Sequence, residues 1–93
     1  MNIAWTPKSV RAFKRLIRRN PQLRLLIEQT LQQMATDVYH LSLKTHKLIG
    51  NLDNTWSCSI DYSYRILFEF VPDVEAEGMA ILLLNVGSHD DVY

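Results

Sequence analysis

The dipeptide Asn20-Pro21 divides the first third of the chain and limits what that third can form. Proline disfavours a helical residue before it and suits the first turn of a helix after it. On the N-terminal side Val10, Phe13, Leu16 and Ile17 recur at helical spacing, with Lys8, Arg11, Arg15 and Arg18 as the opposite stripe. Thr6 supplies an N-cap and Pro7 a first helical residue. On the C-terminal side Leu23, Leu26, Ile27, Leu31 and Met34 repeat the apolar period. Two amphipathic helices joined by so short a break predict an antiparallel hairpin over 7–36, apolar on one side and cationic on the other.

Between Asp37 and Asn54 the helical period fails, and "LSLKTHKLIGNLDN" predicts a structured loop. Beyond it "TWSCSID" alternates, setting Trp56, Cys58 and Ile60 against small hydroxyl residues. "YRILFEF" likewise puts Tyr64, Ile66, Phe68 and Phe70 on one face. The few residues between these runs predict an antiparallel hairpin. "PDVEAEG" reads as a polar turn, and "MAILLLNV" is apolar on both faces, as in a strand at the middle of a sheet. With a short strand in "NIAW" the order is β-α-α-β-β-β. The expected fold is α+β: an antiparallel sheet of three or four strands, the helical hairpin packed on one face, in a single domain over 1–93.

Apolar residues make up 47% and charged residues 22% of the 93-residue chain, values of a water-soluble globular protein. No stretch approaches the roughly 18 apolar residues of a membrane span. The first residues lack the apolar core of a signal peptide, and Cys58 alone closes no internal disulfide, so a reducing, cytoplasmic setting is expected. The net charge of zero hides a division. Residues 1–50 carry nine Lys and Arg against Glu28 and Asp37 (9 − 2 = +7), whereas residues 51–93 carry Arg65 against eight acids (1 − 8 = −7). A basic surface of this kind suits a polyanion.

The sequence has no Gly-rich phosphate loop, no paired Cys motif and no G-x-S-x-G elbow, which leaves most familiar enzyme classes unsupported. Four residues stand out. Arg65 points away from the apolar face of its strand, either toward a ligand or as a surface arginine paired with Glu69. His46, between Lys44 and Lys47, is a solvated loop histidine or a proton carrier. His89 beside Asp90 and Asp91 has no spacing that marks a metal site. Tyr93, read alone, covers apolar surface at the chain end.

Taken together, "LKTHKLIG", "WSCSIDYSYRILFEF" and "LLNVGSHDDVY" resemble the RelE/ParE toxin superfamily of bacterial toxin–antitoxin systems, in its RelE and YafQ-like ribonuclease branch. The resemblance covers almost the whole chain. It implies a ribosome-dependent messenger RNA endonuclease that needs no metal or other cofactor and is neutralised by a separate antitoxin protein. By position it implies Arg65 near the scissile phosphate, His46 as a catalytic histidine, His89 in the tail motif, and Tyr93 as the aromatic residue that closes the site. Asp61 lies near an acidic site position. The chemistry suits these types: a histidine moves protons near neutral pH, an arginine fork binds phosphate oxygens, and a tyrosine stacks on a base or donates a proton. Lys44, Lys47, Arg11, Arg15 and Arg18 would hold ribosomal or messenger RNA through phosphates. Two departures stand out: Leu41 occupies a position where relatives often carry proline, and a second arginine of RelE-type members has no clear counterpart. Two other functions remain open, a ParE-like inhibitor of DNA gyrase and a non-catalytic RNA-binding or partner-regulated module.

Overall fold

Thr6 opens the first helix with a reciprocal cap: its Oγ1 accepts from the Ser9 amide at 3.1 Å, and Ser9 Oγ accepts from the Thr6 amide at 2.9 Å. Helix α1 (Pro7–Arg19) buries Ser9, Phe13 and Leu16 and leaves Arg11, Arg15 and Arg18 exposed. Asn20 stops it, Pro21–Leu23 make one 3-10 turn, and α2 (Arg24–Thr36) follows, burying Ile27, Thr30 and Met34. The computed structural model describes residues 1–50 and 54–93; the loop expectation for residues 51–53 lies outside them. Among the described residues no helix is long and apolar enough to cross a membrane.

Both helices pack on one face of a five-stranded sheet in the order β1-β5-β4-β3-β2: β1 Ile3–Trp5, β2 His46–Lys47, β3 Trp56–Ser59, β4 Tyr64–Pro72 and β5 Met79–Ser88. The expected α+β architecture is present, with β2 to β5 antiparallel and β5 between two neighbours. Two features differ from expectation. Strand β1 runs parallel to β5, pairing Ile3 with Ile81 and Trp5 with Leu83. Three residues carry too little pattern to declare a direction, and the Thr6 hydroxyl donates to Leu83 O at 2.9 Å where the chain leaves the sheet. The loop after α2 also contributes a strand: a 3-10 turn at Leu41–Leu43 delivers His46 and Lys47 to the sheet as β2.

The double-sided apolarity of "MAILLLNV" has a physical cause. Leu67 pairs with Asn85 but Phe68 pairs with Leu83, so Leu84 is an extra residue and the strand changes parity there. Ile81, Leu83 and then Val86 consequently all reach the main core, where they meet Phe13, Leu16, Ile27 and Met34 from the helices and Cys58, Ile66 and Phe68 from the sheet.

Candidate active site

Directly paired residues of neighbouring strands share a face. One such row runs His46, Ser57, Leu67, Asn85 across β2 to β5, and the next runs Ser59, Arg65, Gly87. Cys58 and Ile66, which belong to the core, alternate with these residues, so the two rows occupy the face away from the helices. Leu67 and Ser57 are nonetheless buried, and Leu67 lies outside the main core cluster.

The tail lies over this face. Strand β5 ends at Ser88, whose Oγ accepts from the Asp91 amide at 3.3 Å and so caps one turn of helix, α3 (His89–Val92). The His89 amide donates to Ser63 O at 3.1 Å, tying α3 to the β3–β4 turn. The Tyr93 hydroxyl hydrogen-bonds Ser57 Oγ, and the His89 ring meets the Tyr93 ring edge-on at 4.4 Å. The path from β5 thus crosses β4 and reaches β3. Gly87 permits this by close approach rather than by a sharp turn. Its backbone is not left-handed, but a Cβ there would stand 3.1 Å from Asp91 Cβ and 3.2 Å from Val92 Cγ1.

Arg65 is half-buried on its row, and its Nη1 donates to three carbonyl oxygens of the β3–β4 turn: Asp61 at 2.6 Å, Tyr62 at 3.1 Å and Tyr64 at 3.1 Å. Among the described residues Arg65 stands in no side-chain ion pair, so the alternative pairing of Arg65 with Glu69 is not formed. Asp61 belongs to the same turn: its Oδ1 accepts from the amides of Ser63 and Tyr64, both at 2.8 Å. This turn-forming use accounts for an acid at position 61 without any chemical step.

His46 Nδ1 lies 2.9 Å from Lys44 O. A carbonyl oxygen only accepts, so Nδ1 carries a proton, and in the neutral form of the ring Nε2 is the free lone pair. The side chain is exposed, one strand away from the Ser57–Tyr93 pair. His89 Nδ1 is 3.8 Å from Asp90 Oδ1, and among the described residues no group of three His, Cys, Asp or Glu side chains is placed to hold a metal.

The cations expected to contact RNA fall in two places. Arg11 and Arg15, with Lys8 and Arg19, line a groove of about 820 Å³ between α1 and the last residues of β5, while Arg18 is exposed outside it. Lys44 and Lys47 stand exposed at the β2 edge, the opposite side of the sheet. The structure therefore gathers His46, Arg65, His89 and Tyr93 on or beside one sheet face, with cations at both flanks. It adds one residue that sequence reasoning passed over. Ser57 was visible only as a small hydroxyl on the outward side of "TWSCSID"; its bond to a residue 36 positions away has no local signal.

No protein-family model matches the chain, and no curated protein matches it in sequence. Solved structures do match in shape. The YafQ toxin of E. coli superposes with a TM-score of 0.77 at 8% identity over 99% of this chain and 97% of that one. A YoeB/ParE toxin from Agrobacterium tumefaciens gives 0.75 at 16% identity, over 96% of this chain and 99% of its own. YafQ within the E. coli DinJ–YafQ toxin–antitoxin complex gives 0.72 at 11% identity, over 99% and 96%. Over nearly its whole length the chain has the fold of the RelE/YafQ-like toxins.

Proposed function

We propose that the chain is the toxin of a type II toxin–antitoxin pair and cleaves messenger RNA on the ribosome. The observation that carries this reading is the placement of His46, Arg65, His89 and Tyr93, drawn from a loop strand, a central strand and the tail, on or beside one face of a fold shared with YafQ and YoeB toxins. In the route these groups support, the ribose 2′-oxygen attacks the adjacent phosphorus, forming a cyclic phosphate and breaking the bond to the 5′-oxygen. His46, with Nε2 unprotonated, takes the 2′-hydroxyl proton. Arg65, whose guanidinium is anchored through Nη1, offers its other N–H groups to the charge building on phosphate. His89 in its charged form returns a proton to the departing 5′-oxygen, and Tyr93 stacks on a base or positions that donor. No step needs a metal or a cofactor.

The partners implied are the ribosome with its message and a cognate antitoxin, as DinJ is for YafQ. An acidic antitoxin segment fits the helix stripe of Arg11, Arg15 and Arg18, and RNA phosphates fit the same cations with Lys44 and Lys47. With these partners the protein would act in the cytoplasm. Purified protein is to be assayed on translating ribosomes and, in parallel, in gyrase supercoiling. Cleaved message with unaffected supercoiling supports the proposal. Gyrase inhibition without cleavage establishes the ParE-like activity instead, and RNA binding without either leaves a non-catalytic module.

A further inference from the structure

We propose that Ser57 is a positioning residue of this site: from the floor of the sheet it holds the Tyr93 hydroxyl and so seats the whole 89–93 tail. The inference rests on the proposed ribonuclease reading only for its effect on catalysis; the positioning itself is a statement about structure. Ser57 is fully buried, and among the described residues its hydroxyl has one partner, Tyr93. A buried hydroxyl without a partner is destabilising, so the pair is favoured over either residue alone. The two ends differ in rigidity. Ser57 is held within β3 by ladders on both sides, to His46 and to Leu67, whereas Tyr93 follows a four-residue helix too short to hold its own shape.

The other ties of the tail act at its base, the His89 amide to Ser63 O and the Ser88 cap. The bond to Ser57 is the one among them that fixes the ring end of Tyr93, and His89 rests edge-on against that ring. Loss of the Ser57 hydroxyl therefore releases two of the four gathered side chains, Tyr93 and His89. Arg65 and His46 keep anchors of their own in the β3–β4 turn and at Lys44 O.

The test uses protein labelled with 3-fluorotyrosine at all four tyrosines, with the Tyr93 signal assigned by Tyr93→Phe. In Ser57→Ala the Tyr93 resonance is expected to narrow and move toward its position in denatured protein, while those of Tyr39, Tyr62 and Tyr64 stay. In Ser57→Thr, which keeps a hydroxyl, Tyr93 stays as well. On ribosome-bound message Ser57→Ala lowers kcat about tenfold with KM unchanged, and adding Tyr93→Phe lowers it no further, because both changes remove one interaction. An unmoved Tyr93 resonance in folded Ser57→Ala overturns the proposal. Should that variant fail to fold, Tyr93→Phe breaks the same bond from the exposed side, and amide exchange at Val92 and Tyr93 must rise about tenfold; unchanged exchange overturns it equally. A wild-type protein that cuts no RNA, with the resonance shift still seen in Ser57→Ala, refutes the enzymatic reading and leaves the positioning intact.

Discussion

Arg65 Nη1 lies 2.6 Å from the carbonyl oxygen of Asp61, in the turn that precedes its own strand. With Tyr62 O and Tyr64 O, three acceptors converge on one nitrogen of a group that has five N–H donors. The turn aims the guanidinium and leaves Nε and Nη2 without a partner among the described residues. Arg65→Lys keeps a charge able to reach these carbonyls but loses the planar fork. Its stability is expected to stay within about 1 kcal/mol of wild type in urea unfolding, while single-turnover cleavage falls at least about 10²-fold. Arg65→Ala is expected to lose both. Equal cleavage by Arg65→Lys and wild type would show that Arg65 serves the turn alone.

Gly87→Ala tests the seating of the tail from beneath. The new Cβ would meet Asp91 Cβ at 3.1 Å and Val92 Cγ1 at 3.2 Å, closer than ordinary van der Waals contact. Helix α3 touches the rest of the chain through few groups, so it yields before the central strand does. The expected outcome is a melting temperature within a few degrees of wild type, together with faster amide exchange confined to residues 89–93 and loss of cleavage. A drop in global stability without local loosening would mean that β5 shifts instead.

The reach of sequence reasoning here follows the range of the interactions. Asn20-Pro21, Thr6 and the apolar periods act within a few residues, and the two helices they predict are present, separated by one 3-10 turn. The outward face of Arg65 was legible for the same reason, since alternation is local. What escaped depends on partners distant in sequence. The parallel pairing of Ile3 with Ile81 and the parity change at Leu84 are decided by a partner strand. A two-residue strand such as His46–Lys47 has no period to read, and the bond from Ser57 to Tyr93 joins positions 36 apart. Gly87 likewise admits α3 by having no Cβ, a constraint set by Asp91 and Val92 rather than by its neighbours within the strand.

Cys58 gives a pH signature of the core. Burial pushes its thiol up from 9.0 to about 12, against a smaller downward pull from the Arg65 charge. In the folded state the thiol stays protonated while the unfolded chain ionises above 9.0. The unfolded state then binds fewer protons, so stability falls as pH rises from 9.0 toward about 12. Between about pH 8 and about pH 10, wild type is expected to lose about 1 kcal/mol more than Cys58→Ala in urea unfolding. Parallel losses in the two proteins would place the thiol in a more polar setting than its contact with Met34 Sδ at 3.6 Å implies.

Leu41→Pro addresses the departure from the toxins that the sequence resembles, and neither the hydrogen bonds of its turn nor the preceding residue opposes it. Leu41 is the first residue of its 3-10 turn, where an amide has no intrahelical acceptor. The bonds that define the turn run from the His40 amide to Asp37 O, from Leu43 to His40 O and from Lys44 to Leu41 O, and none uses the Leu41 amide. The preceding residue, His40, has φ −56 and ψ 138, within the extended region that proline imposes on its neighbour. The leucine side chain is 90% exposed, so its removal costs little packing. Proline then acts chiefly by restricting the unfolded chain, and a gain of about 0.4–1 kcal/mol is expected in urea unfolding. The same substitution stiffens the turn that leads through Lys44 into His46. If a loosely held His46 limits this protein, Leu41→Pro will also deepen growth arrest at equal cellular abundance. A gain in stability with unchanged arrest would separate the two effects and show that the turn is already rigid enough to present His46.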